Sequence, residues 1–174
     1  MGKKTIRLRA LEPKDIHFLY ELENDKDLWH LSHTQQPFSK HLLKQYIEQA
    51  DRDIYEAKQF RFAIEICATN ELIGFVDLFD FDAKNKRAGI GIIIKNKDKR
   101  NKGYGNEAIE EILNYAFNIL HLHQVYANIS ADNLASINVF KKNAFVLAGQ
   151  KKEWNFNGKT FQDELLFQHI LKTE

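Results

Sequence analysis

Residues 92–106 read IIIKNKDKRNKGYGN, and this stretch decides how the rest of the chain is interpreted. An apolar run of strand length passes into a basic segment with Gly103 and Gly105, and apolar residues at helical spacing follow. Glycine lets a backbone approach a ligand closely, and the free amides of a helix N-terminus attract anions. The stretch therefore predicts a pyrophosphate site at a strand-to-helix turn. Its spacing fits neither common nucleotide-binding motif, so spacing alone leaves a solvated basic loop as the alternative.

Working outward from this turn, the hydrophobic pattern alternates between strands and helices. Seven segments have strand patterns, at residues 5–10, 60–67, 72–81, 87–95, 124–130, 145–155 and 159–170. Helices are expected from Pro13, from a cap at Ser39 to about residue 55, over residues 108–120, and after a cap at Asp132 or Asn133. This order predicts one α/β (α+β) domain over residues 1–174, with a mixed seven-stranded sheet and helices on both faces.

Composition narrows the classes of partner. The chain has 25 Lys and Arg residues and 24 Asp and Glu residues. The resulting formal net charge of +1 argues against a nucleic-acid-binding protein. Its apolar runs are too short to cross a membrane. Cys67 is the only cysteine, which favours a reducing, cytoplasmic location. The pairs His30/His33 and His121/His123 lack the further ligands of a structural metal site, so no metal is expected.

Two motifs resemble those of a known enzyme family. Residues 100–105, RNKGYG, are similar to the R/Q-x-x-G-x-G/A acyl-CoA motif of the GNAT N-acetyltransferase superfamily. Residues 132–145, DNLASINVFKKNAF, resemble its second signature, N-x-x-A/S-S/I-x-x-x-Y/F-x-K-x-G-F. Because the order of strands and helices matches as well, the resemblance covers essentially the whole chain. The most similar branches are the polyamine (spermidine/spermine) and the ribosomal-protein-alanine N-acetyltransferases.

The resemblance implies a single-domain GNAT fold with a mixed, mostly antiparallel sheet. It also implies transfer of the acetyl group of acetyl-CoA to a primary amine by direct attack, without a metal. The expected acceptor is a small polyamine-like amine. The alternatives are the N-terminus of a protein or peptide, or a catalytically silent acyl-CoA-binding module. The expected partners are acetyl-CoA and the amine, and assembly into a homo-oligomer is left open.

The family's binding roles carry over to matching positions. Backbone groups of Ile92 and Ile94 would hold the pantetheine arm, and one of them would polarise the thioester carbonyl. The pyrophosphate would lie against the amides of Arg100, Asn101, Lys102, Gly103, Tyr104, Gly105 and Asn106. Asn133 and Asn138 would contact the pantetheine arm, with Lys141 near the nucleotide phosphate.

The acceptor amine must be deprotonated before it attacks, and a carboxylate with a raised pKa is the usual proton acceptor. Asp77 is the predicted base, acting directly or through water, and Asp80 is the alternative. Strict alternation places Asp80 with Val76 and Leu78, and Asp77 on the other face with Ile73, Phe75, Phe79 and Phe81. A frayed strand end, with these carboxylates in water, is the competing interpretation.

The chain departs from the family pattern in three places. Phe140 stands where the family often has a tyrosine that protonates the departing thiolate, so water, Ser130 or Tyr126 would have to serve. Ala144 stands where the signature has glycine. The polyamine branch has glutamates before the proline that opens its second helix, and residues 35 and 36 are glutamines here.

Overall fold

In the computed structural model, which describes residues 4–32, 34–50 and 52–172, the chain forms one seven-stranded sheet. The strands are β1 (Ile6–Arg9), β2 (Phe60–Ile66), β3 (Glu71–Asp82), β4 (Arg87–Ile94), β5 (Gln124–Ser130), β6 (Val146–Phe156) and β7 (Phe161–Ile170). Their order across the sheet is β1-β2-β3-β4-β5-β7-β6. β4 and β5 are parallel, and the other neighbours pair antiparallel. The predicted mixed, mostly antiparallel sheet is confirmed.

The main helices are α1 (Ile16–Glu23), α2 (Trp29–Ser32), α3 (Lys40–Glu48), α4 (Ile54–Ala57), α5 (Tyr104–Asn114) and α6 (Leu134–Lys142). A 3₁₀ turn, Pro13–Asp15, precedes α1, and a π-helical turn, Tyr115–Ile119, extends α5. Ser39 caps α3 as expected, but α3 ends at Glu48 instead of continuing to about residue 55. Asp53 begins the separate helix α4 by accepting a hydrogen bond from the Tyr55 amide at 2.7 Å.

Helices pack on both faces of the sheet, as predicted. On one face, buried side chains of α5 and α6 pack against buried side chains of β2 and β3, among them Ile64 and Val76. On the other face, α1 and α3 cover Ala63 and Phe75, the immediate neighbours of those two residues along the chain. Since neighbouring residues of a strand point to opposite faces, the two clusters lie on opposite sides of the sheet.

The sheet opens between β4 and β5. Arg87, Ala88 and Gly89 pair with Gln124, Val125 and Tyr126, and the described ladder between the two strands ends there. We call the gap between residues 90–94 of β4 and 127–130 of β5 the fork. Because the two strands are parallel, the loops that follow them lie at the same edge of the sheet, at the open end of the fork.

The two outer strands differ in length and regularity. β1 has four residues, whereas β6 has 11 and pairs with β7 through an interrupted register. The interruptions fall between Leu147 and Gly149 and between Lys151 and Asn155, and Glu153 within the second one has a φ of 48°. β6 and β7 meet at a turn that contains Gly158.

Candidate active site

The loop after β4 ends in a helix N-terminus that suits an anion. Gly103 caps α5 with a φ of 88°, in the region that glycine adopts freely, and provides no side-chain hydrogen bond. The first-turn amides of Tyr104, Gly105 and Asn106 therefore have no acceptor within the helix. A β-carbon at position 103 would meet no atom within 4 Å, so the space beside this cap is open. A pyrophosphate fits this arrangement of dipole, amides and glycine.

Arg100 shapes this loop by binding the end of β4. Its Nε donates to the Ile94 carbonyl at 2.9 Å and its Nη2 to the Lys95 carbonyl at 3.1 Å. Its amide donates to the Lys97 carbonyl at 3.1 Å. Asn101, with a φ of 59°, and Lys102 follow as exposed residues. The predicted phosphate loop is therefore a fixed turn, anchored by Arg100 at its start.

Backbone groups of β4 point into the fork at alternate residues. The Lys95 amide donates to the Ile73 carbonyl at 3.0 Å and therefore faces β3. Since amides alternate in direction along a strand, those of Ile92 and Ile94 face the side from which β5 has separated. The Ile94 carbonyl is occupied by Arg100, so Ile92 keeps both of its backbone groups for a ligand in the fork.

α6 begins at the other side of the open end. Asn133 caps it by accepting a hydrogen bond from the Ser136 amide at 3.1 Å, which leaves the Asn133 side-chain NH₂ to donate elsewhere. Asn138 and Lys141 are exposed on the same helix. At the end of α6, Asn143 donates to the Asn106 side-chain oxygen at 3.0 Å. This bond ties the two helices that border the fork.

Phe140 contributes no polar group to the fork. Its side chain is 2% exposed and lies in the core shared by α5, α6 and the sheet. The ring packs edge-on against Phe145, with 4.9 Å between centroids. A proton donor for the thiolate must therefore come from another residue or from water.

Asp77 lies on the α1 and α3 face, but in a polar cluster that the sequence did not predict. Arg61 of β2 donates from Nε to Asp77 Oδ1 at 2.6 Å and from Nη2 to Oδ2 at 3.0 Å. Its third donor, Nη1, binds Glu23 at the end of α1 at 2.5 Å. The guanidinium also lies over the Phe75 ring, 5.2 Å from its centroid. The expectation of purely apolar surroundings for Asp77 is wrong, because its cross-strand neighbour is an arginine.

Electrostatics hold this cluster together. Burial alone would lower the pKa of Arg61, but the charge of Asp77 and its hydrogen bonds raise it above its ordinary value. Burial raises the pKa of the neighbouring Tyr46 phenol. The Asp77 carboxylate remains 26% exposed, so a substrate can still reach it. Two carboxylates share one guanidinium, which leaves one negative charge in excess.

Bulges in β3 change the expected set of neighbours. The register shifts between Ile64 and Glu65 of β2, and Ile73 and Phe81 both lie in the core of the α5 face instead of beside Asp77. Asp80 has a φ of 48° at a second irregularity and is exposed, so its predicted apolar company is also wrong. The Tyr126 hydroxyl donates to Asp80 at 3.3 Å. Burial, followed by the charge of Asp80, raises the pKa of Tyr126.

Two expected absences concern the described residues alone. Within them, no group of three or more His, Cys, Asp or Glu side chains could hold a metal ion. His33 of the first histidine pair lies outside the described residues. Across the same residues, no helix is long and apolar enough to cross a membrane.

Comparison with known proteins decides the family. The model of the acetyltransferase (GNAT) domain matches residues 5–146. The chain belongs to the GNAT acetyltransferase family. A spermidine N(1)-acetyltransferase of Vibrio cholerae is 28% identical over 161 residues, which cover 91% of this GNAT chain and 88% of that protein.

Solved structures agree with this assignment. A spermidine N-acetyltransferase from Vibrio cholerae in complex with CoA and spermine superimposes on this GNAT chain with a TM-score of 0.84, at 26% identity, over 95% of each chain. A dodecameric structure of spermidine N-acetyltransferase from the same organism matches with a TM-score of 0.78, at 28% identity, over 95% of this chain and 94% of that one. The protein is an acetyl-CoA-dependent N-acetyltransferase, with acetyl-CoA as its cosubstrate.

Proposed function

We propose that this GNAT enzyme acetylates a small polyamine-like amine, by direct attack of the amine on the thioester of acetyl-CoA. The observation that carries the proposal is the carboxylate pair Asp77 and Glu23, which shares the single cation Arg61 next to the fork. The excess negative charge favours a cationic acceptor, because charge at a cleft raises the local concentration of counter-ions. The similarity to spermidine N-acetyltransferases supports the same class of acceptor.

The cosubstrate would bind along the fork. The amides at the start of α5 and the loop from Arg100 to Asn106 would hold its pyrophosphate. The backbone groups of Ile92 and the amide of Ile94 would form hydrogen bonds with the pantetheine arm, which would take the place of a neighbouring strand. One of these amides would polarise the thioester carbonyl. On the α6 side, Asn133 and Asn138 would contact the same arm, with Lys141 near the nucleotide phosphate.

Asp77 would remove the proton from the acceptor ammonium, directly or through one water. Arg61 occupies one lone pair on each carboxylate oxygen, and the others can accept from the substrate. Arg61 also fixes the orientation of the carboxylate, which favours a constant distance to the amine. For the departing thiolate, Tyr126, Ser130 or water would supply the proton, since Phe140 cannot.

An acceptor of a second kind is the N-terminal amine of a peptide. The observation in its favour is the pair of neutral residues Gln35 and Gln36 in the segment between α2 and α3, where acidic residues would bind further cations of a polyamine. A catalytically silent acyl-CoA-binding module is the other alternative, motivated by the buried Phe140. We further propose that the chain forms a homo-oligomer, as the dodecameric relative does.

The first experiment follows CoA release with a thiol reagent. Acetyl-CoA is supplied with spermidine, spermine, putrescine, aminoglycosides, amino acids, or peptides with Ala or Ser at the N-terminus. We expect the polyamines to give the highest kcat/KM. Fastest release with peptides would replace the proposed acceptor by the second one, and no release with any amine, despite binding of acetyl-CoA in calorimetry, would support the silent module.

The role of Asp77 is tested with Asp77→Asn. Loss of a general base should lower kcat about a hundredfold or more, while calorimetry shows unchanged acetyl-CoA affinity. Asp80→Asn is the matched control, because Asp80 is an exposed carboxylate on the same strand. Turnover at the wild-type rate in Asp77→Asn would remove Asp77 as the base, and a loss confined to Asp80→Asn would transfer the role to Asp80.

A further inference from the structure

β4 carries two glycines on the sheet face that bears Asp77. Gly89 is the cross-strand neighbour of Phe79, and Gly91 that of Asp77. At Gly89 the packing accounts for the glycine, since a β-carbon would lie 2.3 Å from a carbon of the Phe79 ring and the ring would have to move. At Gly91 it does not, since a β-carbon would meet Phe79 at an ordinary 3.7 Å and the residue is not in the left-handed region.

Glycine at position 91 therefore lacks a structural reason. Its neighbours Ile90 and Ile92 are β-branched, the type that strands favour, and glycine inside a strand weakens it. A strand glycine without a bulge or a steric conflict commonly marks a place where a ligand approaches the backbone closely.

The position of Gly91 shows what would approach. It lies two residues beyond Gly89, the last residue of β4 that pairs with β5, and so at the closed end of the fork. Across the ladder stands Asp77, whose carboxylate is partly exposed on the same face. The backbone of Gly91, which carries no side chain, therefore lies beside the proposed base Asp77 at the closed end of the fork.

We infer that Gly91 is a specificity-determining residue: the space of its missing side chain admits the carbon next to the nitrogen of the acceptor amine. The inference rests on the proposed amine acetylation and names the part of the acceptor that the site recognises by shape. A substituent on that carbon would occupy the same space as a side chain at position 91. The wild-type enzyme therefore accepts amines with a substituent on this carbon as well as unbranched ones.

The test compares Gly91→Ala and Gly91→Val with the wild type, using spermidine and a primary amine that carries a methyl branch next to the nitrogen. We expect Gly91→Val to lower kcat/KM for spermidine about tenfold or more, and for the branched amine by a larger factor. Gly91→Ala should spare spermidine and penalise the branched amine. KM for acetyl-CoA should stay within about twofold, because only the acceptor is excluded.

Gly149→Val is the matched control. Gly149 is a strand glycine in β6 with open space around it, so this variant adds the same side chain two strands away from β5 and should keep wild-type kinetics. If the wild type is active and the folded variants Gly91→Ala and Gly91→Val keep its acceptor selectivity, the inference about Gly91 is overturned. The proposed function would then still stand. A wild type that acetylates no amine would overturn the proposed function, and the inference with it.

Discussion

At the residue scale, Ala144 holds a backbone conformation that suits glycine. It follows the last residues of α6 with a φ of 61°, and its amide donates to the Lys141 carbonyl at 3.2 Å. A left-handed residue after a helix is a common helix end, but a β-carbon there costs about 1–2 kcal/mol. The departure from the family signature is therefore a local strain, and the turn itself is kept.

We expect Ala144→Gly to increase the free energy of unfolding by about 0.5–1 kcal/mol, since relief of strain exceeds the added freedom of the unfolded chain. This corresponds to a rise in Tm of roughly 2 °C for a domain of this size. Thermal unfolding measures it, with Ala135→Gly, an exposed position in the first turn of α6, as the control. The control should lower Tm, because its backbone is helical. Equal shifts of the same sign in both variants would contradict the strain.

The cluster around Asp77 shows how far the sequence could predict a site residue by residue. Alternation correctly placed Asp77 and Val76 on opposite faces of the sheet, because that part of β3 is regular. It failed for Ile73 and Phe81, because each lies within an irregularity of the pairing, where an extra residue breaks the alternation of faces. Arg61 was missed because nothing local to it signals that β2 and β3 bring it opposite Asp77.

At the element scale, the strands were predicted more accurately than the ends of the helices and the extent of the pairing. Strands carry their own apolar pattern in the sequence, as in residues 90–94 of β4. The end of α3 depends on competition with the cap at Asp53, which propensity alone does not decide. The point at which β4 and β5 part depends on packing across the whole sheet, so the pattern of the sequence did not predict it.

The N-terminus of α5 yields a prediction that separates strain from binding. Gly103 and Gly158 have φ values of 88° and 92°, and each has open space around it. Gly103→Val and Gly158→Val should thus lose similar stability, about 1–2 kcal/mol, for the same backbone reason. Calorimetry should show acetyl-CoA affinity reduced at least about tenfold in Gly103→Val only, because position 103 caps α5 directly before the amides proposed to hold the pyrophosphate. An equal affinity in the two variants would contradict the assignment of the phosphate loop.

At the scale of the whole molecule, the hairpin of β6 and β7 exposes a cluster of aromatic side chains. Trp154, Phe156 and Phe161 are each about 60% exposed, and the rings of the two phenylalanines lie 5.1 Å apart, tilted by 46°. Together they offer roughly 300–450 Å² of apolar surface, about half of what one partner buries in a stable interface. Such a patch supports the proposed homo-oligomer.

We expect the double variant Phe156→Asp/Phe161→Asp to lower the molar mass in multi-angle light scattering, because charge in an apolar contact opposes association. Ile119→Asp is the control, since Ile119 is exposed to a similar degree at the end of α5. A wild-type mass retained by the double variant at the same concentration would show that the hairpin does not carry the assembly.

The irregular outer strands have a consequence for solubility. With a formal net charge of +1, two copies of this protein repel each other weakly, and colloidal stability must come from elsewhere. The two edge strands of the sheet supply this stability. β1 has too few residues to pair well with a strand of another copy. The interruptions of β6 next to Lys151 and Lys152 leave no continuous row of amides and carbonyls for such pairing. Concentrated solutions should therefore resist fibril growth near the pI of about 7.8, although electrostatic repulsion is almost absent there.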